Sequence, residues 1–236
     1  MIYNLYFVGE FGYVFRQLLP FLETNTQPIK LITWKPVCDM IELLWPNRYE
    51  LIPAETIIDP LVYHLRDCTN LNDVRSIRKL EMMGFRHVSS IDPNHRRFHN
   101  DAHVVFGVLK KKLTYGEQMK SKPYVSIFPR NRHIQAIKNN ITQEHIGWLK
   151  RNYPDKEVVG HGVESERTDL GIRYCRDIYE QINILNNSAV LLVPASGVAD
   201  LALICGCDII LTNDYPAIEK TNPHGCSIRY WEGVEK

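Results

Sequence analysis

Short apolar runs alternate with amphipathic stretches along this chain, and the alternation sets the expected elements. Ile2 to Val8 is almost wholly apolar and β-rich, the pattern of a strand buried on both faces. Tyr13 to Leu22 carries apolar residues at helical spacing with Pro20 inside the run, so a kinked or short helix is expected. Ile29 to Thr33 reads as a second strand. Pro36 suits the first turn of a helix reaching about Leu44, and Trp45-Pro46-Asn47 ends it. Tyr49 to Ile52 reads as a third strand, and Asn70 to Met83 as a helix stopped by Gly84. The pattern blurs from His95 to Leu113, and the polar stretch Lys110 to Pro123 marks a domain boundary.

The same logic then restarts. Tyr124 to Phe128 is a strand, Thr142 caps a helix to about Asn152, and Glu157 to Val159 is a strand. Asp177 to Asn186 is a helix, Ala189 to Val193 a strand, Gly197 to Cys205 a helix and Asp208 to Leu211 a strand. Strands alternating with helices imply parallel sheets covered on both faces. The expected architecture is α/β, with two Rossmann-like lobes, residues 1–115 and 116–236, and a cleft between them.

Composition narrows the class. With 44% hydrophobic and 23% charged residues, the chain of 236 residues can bury a full core. The net charge is +1, from 28 basic and 27 acidic residues, so no global signal for nucleic acid or an anionic membrane exists. The six cysteines form no Cys-x-x-Cys pair, which fits reduced thiols in a cytoplasmic protein. The N-terminus reads as an opening strand and not a signal peptide, and no apolar run has the length of a membrane span.

The candidate chemistry lies at strand ends, where open α/β sheets bind their ligands. Gly9-Glu10-Phe11-Gly12 follows the first strand, and Arg16 comes shortly after. Glu10 is placed to take a proton from an acceptor hydroxyl, or to complement a helix start; Arg16 can bind phosphate or pair with Glu10. Arg130-Asn131-Arg132 follows the strand at Tyr124–Phe128, and two guanidinium groups suit a diphosphate. Gly160-His161-Gly162 can fold under a base or ribose, or be a tight turn. Ser196-Gly197 opens a helix after Val193, where the serine can donate to phosphate or act as a cap. Asp200, one turn on, can complement the helix dipole or bind a sugar hydroxyl. His95, His99 and His103 fall on one face if helical and can ligate a metal, yet Asp92-Pro93 favours a turn and no partner signature accompanies them. No Asp-x-Asp pair, Walker loop or full Gly-x-Gly-x-x-Gly fingerprint occurs.

In order and spacing, these pieces resemble the two-lobed GT-B glycosyltransferases, in particular the heptosyltransferase-like branch and related polysaccharide glycosyltransferases. The matching residues are Gly9 to Tyr13 with Pro20, Ile127 to Arg132, Val159 to Gly162, and Ile184 to Ala202. The resemblance implies an inverting hexosyl- or deoxyhexosyltransferase that needs no metal and no cofactor. It would move a sugar from a nucleotide-diphosphate donor to a glycan or other hydroxyl acceptor. By that analogy Glu10 is the base, with Gly9, Gly12 and Arg16 on the acceptor or phosphate side. Arg130, Asn131, Arg132, Gly160, His161, Gly162, Ser196, Gly197 and Asp200 form the donor side. Asp200 stands where the family often has histidine, so a sugar or ribose contact is expected there. The first lobe looks trimmed, so the acceptor site is expected to be shallow or completed by another domain. Two other readings share the architecture: a nucleotide-sugar epimerase or hydrolase, and a noncatalytic sugar-nucleotide-binding module.

Overall fold

A computed structural model of the chain describes residues 2–8, 14–58, 71–90, 109, 113, 121–129, 141–162, 167, 169–215, 218 and 222–232. The chain divides into two compact units, residues 1–105 and 106–236.

The first unit is built on four parallel strands: β1 (Tyr3–Phe7), β2 (Ile29–Thr33), β3 (Glu50–Pro53) and β4 (Arg86–His87), in the order β3-β2-β1-β4. Leu5 lies opposite Leu31 at the centre, and both are fully buried. Helix α1 (Leu19–Thr24) holds Pro20 in its first turn, where no amide is needed, and a π-helical turn, Val14–Leu18, leads into it. The kink expected at Pro20 is thus a change of helical pitch just ahead of the proline. Helix α2 (Lys35–Leu44) likewise starts on Pro36. Helix α3 (Leu71–Met82) ends at Gly84, whose φ of 83° is the left-handed conformation that closes a helix.

Among the described residues the second unit carries six parallel strands: β5 (Tyr124–Ile127), β6 (Glu157–Gly160), β7 (Arg173–Tyr174), β8 (Ser188–Val193), β9 (Asp208–Leu211) and β10 (Ile228–Tyr230). Their order is β10-β9-β8-β5-β6-β7. Counted from β5, this is the doubly wound order 3-2-1-4-5-6 reversed in direction, with its switch point between β5 and β8. Helix α4 (Gln143–Asn152) places Ile146 and Leu149 against Val125, Val190 and Leu192. Helix α5 (Ile178–Asn186) is capped by Asp177, whose Oδ1 accepts from the Glu180 amide at 2.8 Å. All eight residues of helix α6 (Gly197–Ile204) are buried, which accounts for its apolar sequence on every side. The short edge strands β7 and β10, and β4 in the first unit, are too brief for periodicity to announce. Leu109 and Leu113 are fully buried, and Asn186 Nδ2 donates to the Leu113 carbonyl at 3.0 Å.

Candidate functional site

The switch point of the second sheet is where two strand ends are laid side by side and their following loops part. The Phe128 amide donates to the Leu192 carbonyl at 3.0 Å, so the end of β5 is fastened to the end of β8. Arg130, Asn131 and Arg132 follow β5 in sequence and lie outside the described residues, as do Gly9, Glu10, Gly12, His95, His99 and His103. The side chain of Arg16 is likewise not described.

From β8 the chain turns through Pro194 and Ala195 into α6. Ser196 holds the N-cap position in extended conformation, φ −165° and ψ 164°. Its hydroxyl does not cap the helix. The Oγ is buried and has no hydrogen-bond partner among the described residues. The first amides of a helix have no partner within it, and Gly197 brings the backbone there free of a side chain. The helix dipole adds positive potential at the same point. The corner therefore presents hydrogen-bond donors with a positive bias, the chemistry that receives a phosphate oxygen.

The start of α2 in the first unit makes the contrast. There the Lys35 amide donates to both carboxylate oxygens of Glu55, each at 3.0 Å, so an acidic side chain already fills the helix start. Among the described residues nothing comparable meets Ser196.

A polar residue missed in the sequence stands beside this corner. Thr212 directly follows β9; its amide donates to the Val193 carbonyl at 3.1 Å, and its own hydroxyl is buried without a partner. Asn213 Oδ1 accepts from the Ala195 amide at 2.6 Å. The rule that ligands gather beyond strand ends applied to Thr212-Asn213 as well as to Ser196-Gly197, and it was the signal that pointed there.

Two residues expected on the donor side have their side chains enclosed in the fold. Asp200 is fully buried, and its Oδ2 accepts from the Tyr215 hydroxyl at 3.1 Å. Its carboxylate is thus enclosed, with one oxygen engaged by Tyr215. His161 is also fully buried. Its Nε2 lies 2.9 Å from Ser126 Oγ, Ser126 Oγ lies 2.7 Å from Ser188 Oγ, and Ser188 donates to the Ile184 carbonyl at 2.8 Å. Each hydroxyl has one proton. Ser188 spends its proton on Ile184, so Ser126 must donate to Ser188 and can only accept from His161. The Nε2 atom of His161 thus carries the ring proton, and Nδ1, 3.6 Å from Cys175 Sγ, accepts from the thiol. Burial is the main cause that pushes the imidazole down to about 3, which keeps it neutral. Its side chain is a core group that ties strands together.

The glycines flanking it have packing roles. A Cβ on Gly160 would meet the Tyr174 ring at 2.6 Å, so the ring lies flat on the backbone there. Gly162, at φ 120°, has the Phe128 ring beside it, and its carbonyl accepts from Arg167 Nε at 3.4 Å. Arg167 also covers the Tyr174 ring, with its guanidinium carbon 5.3 Å from the ring centre. Among the described residues no group of three His, Cys, Asp or Glu side chains is placed to hold a metal ion. Burial pushes the thiols of Cys38 and Cys175 up to about 12 and those of Cys205 and Cys207 further, so all four are held protonated.

No protein-family model matches the sequence, and no curated protein matches it. Solved structures do. A family 9 glycosyl transferase from Veillonella parvula superposes with a TM-score of 0.54 at 11% identity, over 100% of this chain and 88% of the other. The heptosyltransferase WaaC of E. coli, solved with ADP, gives a TM-score of 0.54 at 10% identity, over 99% of this chain and 94% of the other. The chain has the GT-B glycosyltransferase fold. At such identities the likeness concerns the path of the backbone. The start of α6 is the place in this chain where a buried hydroxyl and the first helix amides come together. No helix among the described residues of this GT-B chain is long and apolar enough to cross a membrane.

Proposed function

We propose that the chain is an inverting glycosyltransferase that moves a sugar from a nucleotide-diphosphate donor to a hydroxyl of a glycan or glycoconjugate, without a divalent metal. The observation that carries this reading is the buried Ser196 hydroxyl, left without a partner at the start of α6. Leaving a buried donor unmade costs about 1–3 kcal/mol, so such a group favours a ligand that completes it.

In the proposed reaction Glu10 accepts the proton of the acceptor hydroxyl as that oxygen attacks the anomeric carbon. The bond from that carbon to the diphosphate breaks, and the leaving group takes the electron pair. Arg130 and Arg132 bind the charge that develops on the diphosphate, with Asn131 beside them. Ser196 Oγ and the first amides of α6 from Gly197 receive its oxygens. Guanidinium groups and fixed N–H donors supply what a metal supplies elsewhere. The E. coli structure was solved with ADP, which makes ADP the first nucleotide to try.

Binding of nucleoside diphosphates by thermal shift and calorimetry is the direct test. One diphosphate should bind saturably in excess chelator, and Arg130→Ala or Arg132→Ala should weaken it about tenfold or more, since each charge-assisted hydrogen bond contributes about 1.5–3 kcal/mol. Glu10→Gln should keep the binding and lose transfer. Binding that needs a divalent ion, or a free sugar or epimer formed with no acceptor present, would overturn the assignment.

A further inference from the structure

We infer that Thr212 is a second phosphate-facing hydroxyl of the donor site, held there by a polar clasp that runs from Thr212 to Tyr215. The inference rests on the donor reading above and extends the site to a segment beyond α6.

Three hydrogen bonds lay this segment against the β8–α6 corner. The Thr212 amide donates to the Val193 carbonyl, the Ala195 amide donates to Asn213 Oδ1, and the Tyr215 hydroxyl donates to Asp200 Oδ2 in the first turn of α6. The bonds fall on the strand end before the corner, on the corner itself and on the helix after it. The path of the backbone into Ser196 is therefore fixed from outside, and Asn213 and Tyr215 are positioning residues. Asp200 belongs to this clasp, which explains a carboxylate at that place in the helix: it anchors the loop opposite.

Within the clasp, Thr212 differs from its neighbours. Asn213 Oδ1, the Tyr215 hydroxyl and Asp200 Oδ2 are each engaged. Thr212 is 7% exposed, and its Oγ1 has no partner among the described residues. The residue stands beside Val193, three positions before Ser196, whose Oγ is in the same condition. Two buried, unmatched hydroxyls, one at the start of α6 and one on the segment bonded to the strand end before it, are costly to the empty fold. Both are satisfied at once by an anion with several acceptor oxygens, and a diphosphate has that chemistry.

A valine at position 212 keeps the shape and removes the hydroxyl. Thr212→Val and Thr212→Ser are compared with the unaltered chain for thermal midpoint without ligand and for affinity toward ADP, UDP and inorganic pyrophosphate. The expected result is a Thr212→Val protein at least as stable as the parent, binding the diphosphate about tenfold more weakly, with Thr212→Ser restoring affinity. A hydroxyl with a purely structural role would give the reverse: lower stability and unchanged affinity, and that result would overturn the inference. If the parent chain binds a diphosphate and Thr212→Val binds it equally, this inference falls and the donor reading stands. If the parent binds none of the three probes, both fall.

Discussion

The chain Cys175–His161–Ser126–Ser188–Ile184 makes acid stability a sharp test of the second unit. The His161 imidazole is neutral, fully buried, and satisfied on both nitrogens only in one tautomer. A proton added to Nδ1 would turn that acceptor into a donor facing the Cys175 S–H and place a charge in a dry core. The folded pKa is therefore depressed, from 6.5 to about 3, while the unfolded chain keeps the ordinary value. For a histidine of this kind the stabilisation is fully present above pH 6.5 and is lost as pH falls toward the folded value, because the unfolded state binds the proton first. One proton corresponds to about 1.4 kcal/mol per pH unit, so the fold gives up about 2 kcal/mol near pH 5 and about 5 kcal/mol near pH 3. The larger figure equals the lower end of typical domain stabilities. Equilibrium urea unfolding at about pH 7.5 and about pH 5 measures it, with His161→Gln as the control. Glutamine can donate to Ser126 and accept from Cys175 without titrating. The variant starts less stable at neutral pH, and its deficit should shrink by about 2 kcal/mol at the lower pH. A deficit that stays constant between the two would show that His161 does not titrate on unfolding and would refute the tautomer assignment above.

Two further outcomes test the packing of the same unit. Gly160→Ala should destabilise it by about 1–3 kcal/mol, because the new methyl must displace the Tyr174 ring from beneath Arg167. Combined with Tyr174→Ala the two losses should be less than additive in thermal unfolding, and strict additivity would mean the ring is not the obstacle. In the native chain Cys38, Cys175, Cys205 and Cys207 should resist alkylation at neutral pH, while the half-buried Cys226 is labelled before them. Peptide mass mapping of iodoacetamide adducts reads this, and labelling of the four at the rate of the urea-unfolded chain would contradict their burial.

Much of the fold was legible because long buried strands and capped helices announce themselves locally. Ser188–Val193 and Asp208–Leu211 are apolar runs bounded by turns, and Pro36, Gly84 and Asp177 punctuate helices for reasons that act within a few residues. The edge strands β4, β7 and β10 have only two or three residues each, and they exist because a neighbouring strand offers its ladder. The candidate site was half legible. Ser196-Gly197 stood out by its small residues after a strand. His161 looked like a ligand contact because glycine flanks it on both sides. Those glycines make room for aromatic rings, Tyr174 on one side and Phe128 on the other, and the bond that claims the histidine comes from Ser126, 35 positions earlier. No local pattern encodes that distance. Thr212 escaped for the opposite reason: a threonine at a strand end is commonplace, and only its unmatched hydroxyl distinguishes it.

Satisfaction of hydrogen bonds, more than residue type, separates architecture from function in the second unit. His161, Ser126, Ser188 and Asp200 include the residue kinds that serve catalysis in other proteins, and each here is engaged inside the fold. Removing any of them should first cost stability. Ser196 and Thr212 bond to the fold through their backbones, and their hydroxyls bond to none of the described residues. A fold that carries two such hydroxyls, one at the start of α6 and one beyond the end of β9, is less stable than a valine or alanine at the same places would make it. Such a cost persists where the empty state is not the working state. The two classes therefore predict opposite signatures: loss of midpoint with retained affinity for the first, and retained midpoint with lost affinity for the second. Ser196→Ala belongs with Thr212→Val on the second side, and a Ser196→Ala protein that unfolds early while binding a diphosphate normally would place the serine among the architecture instead.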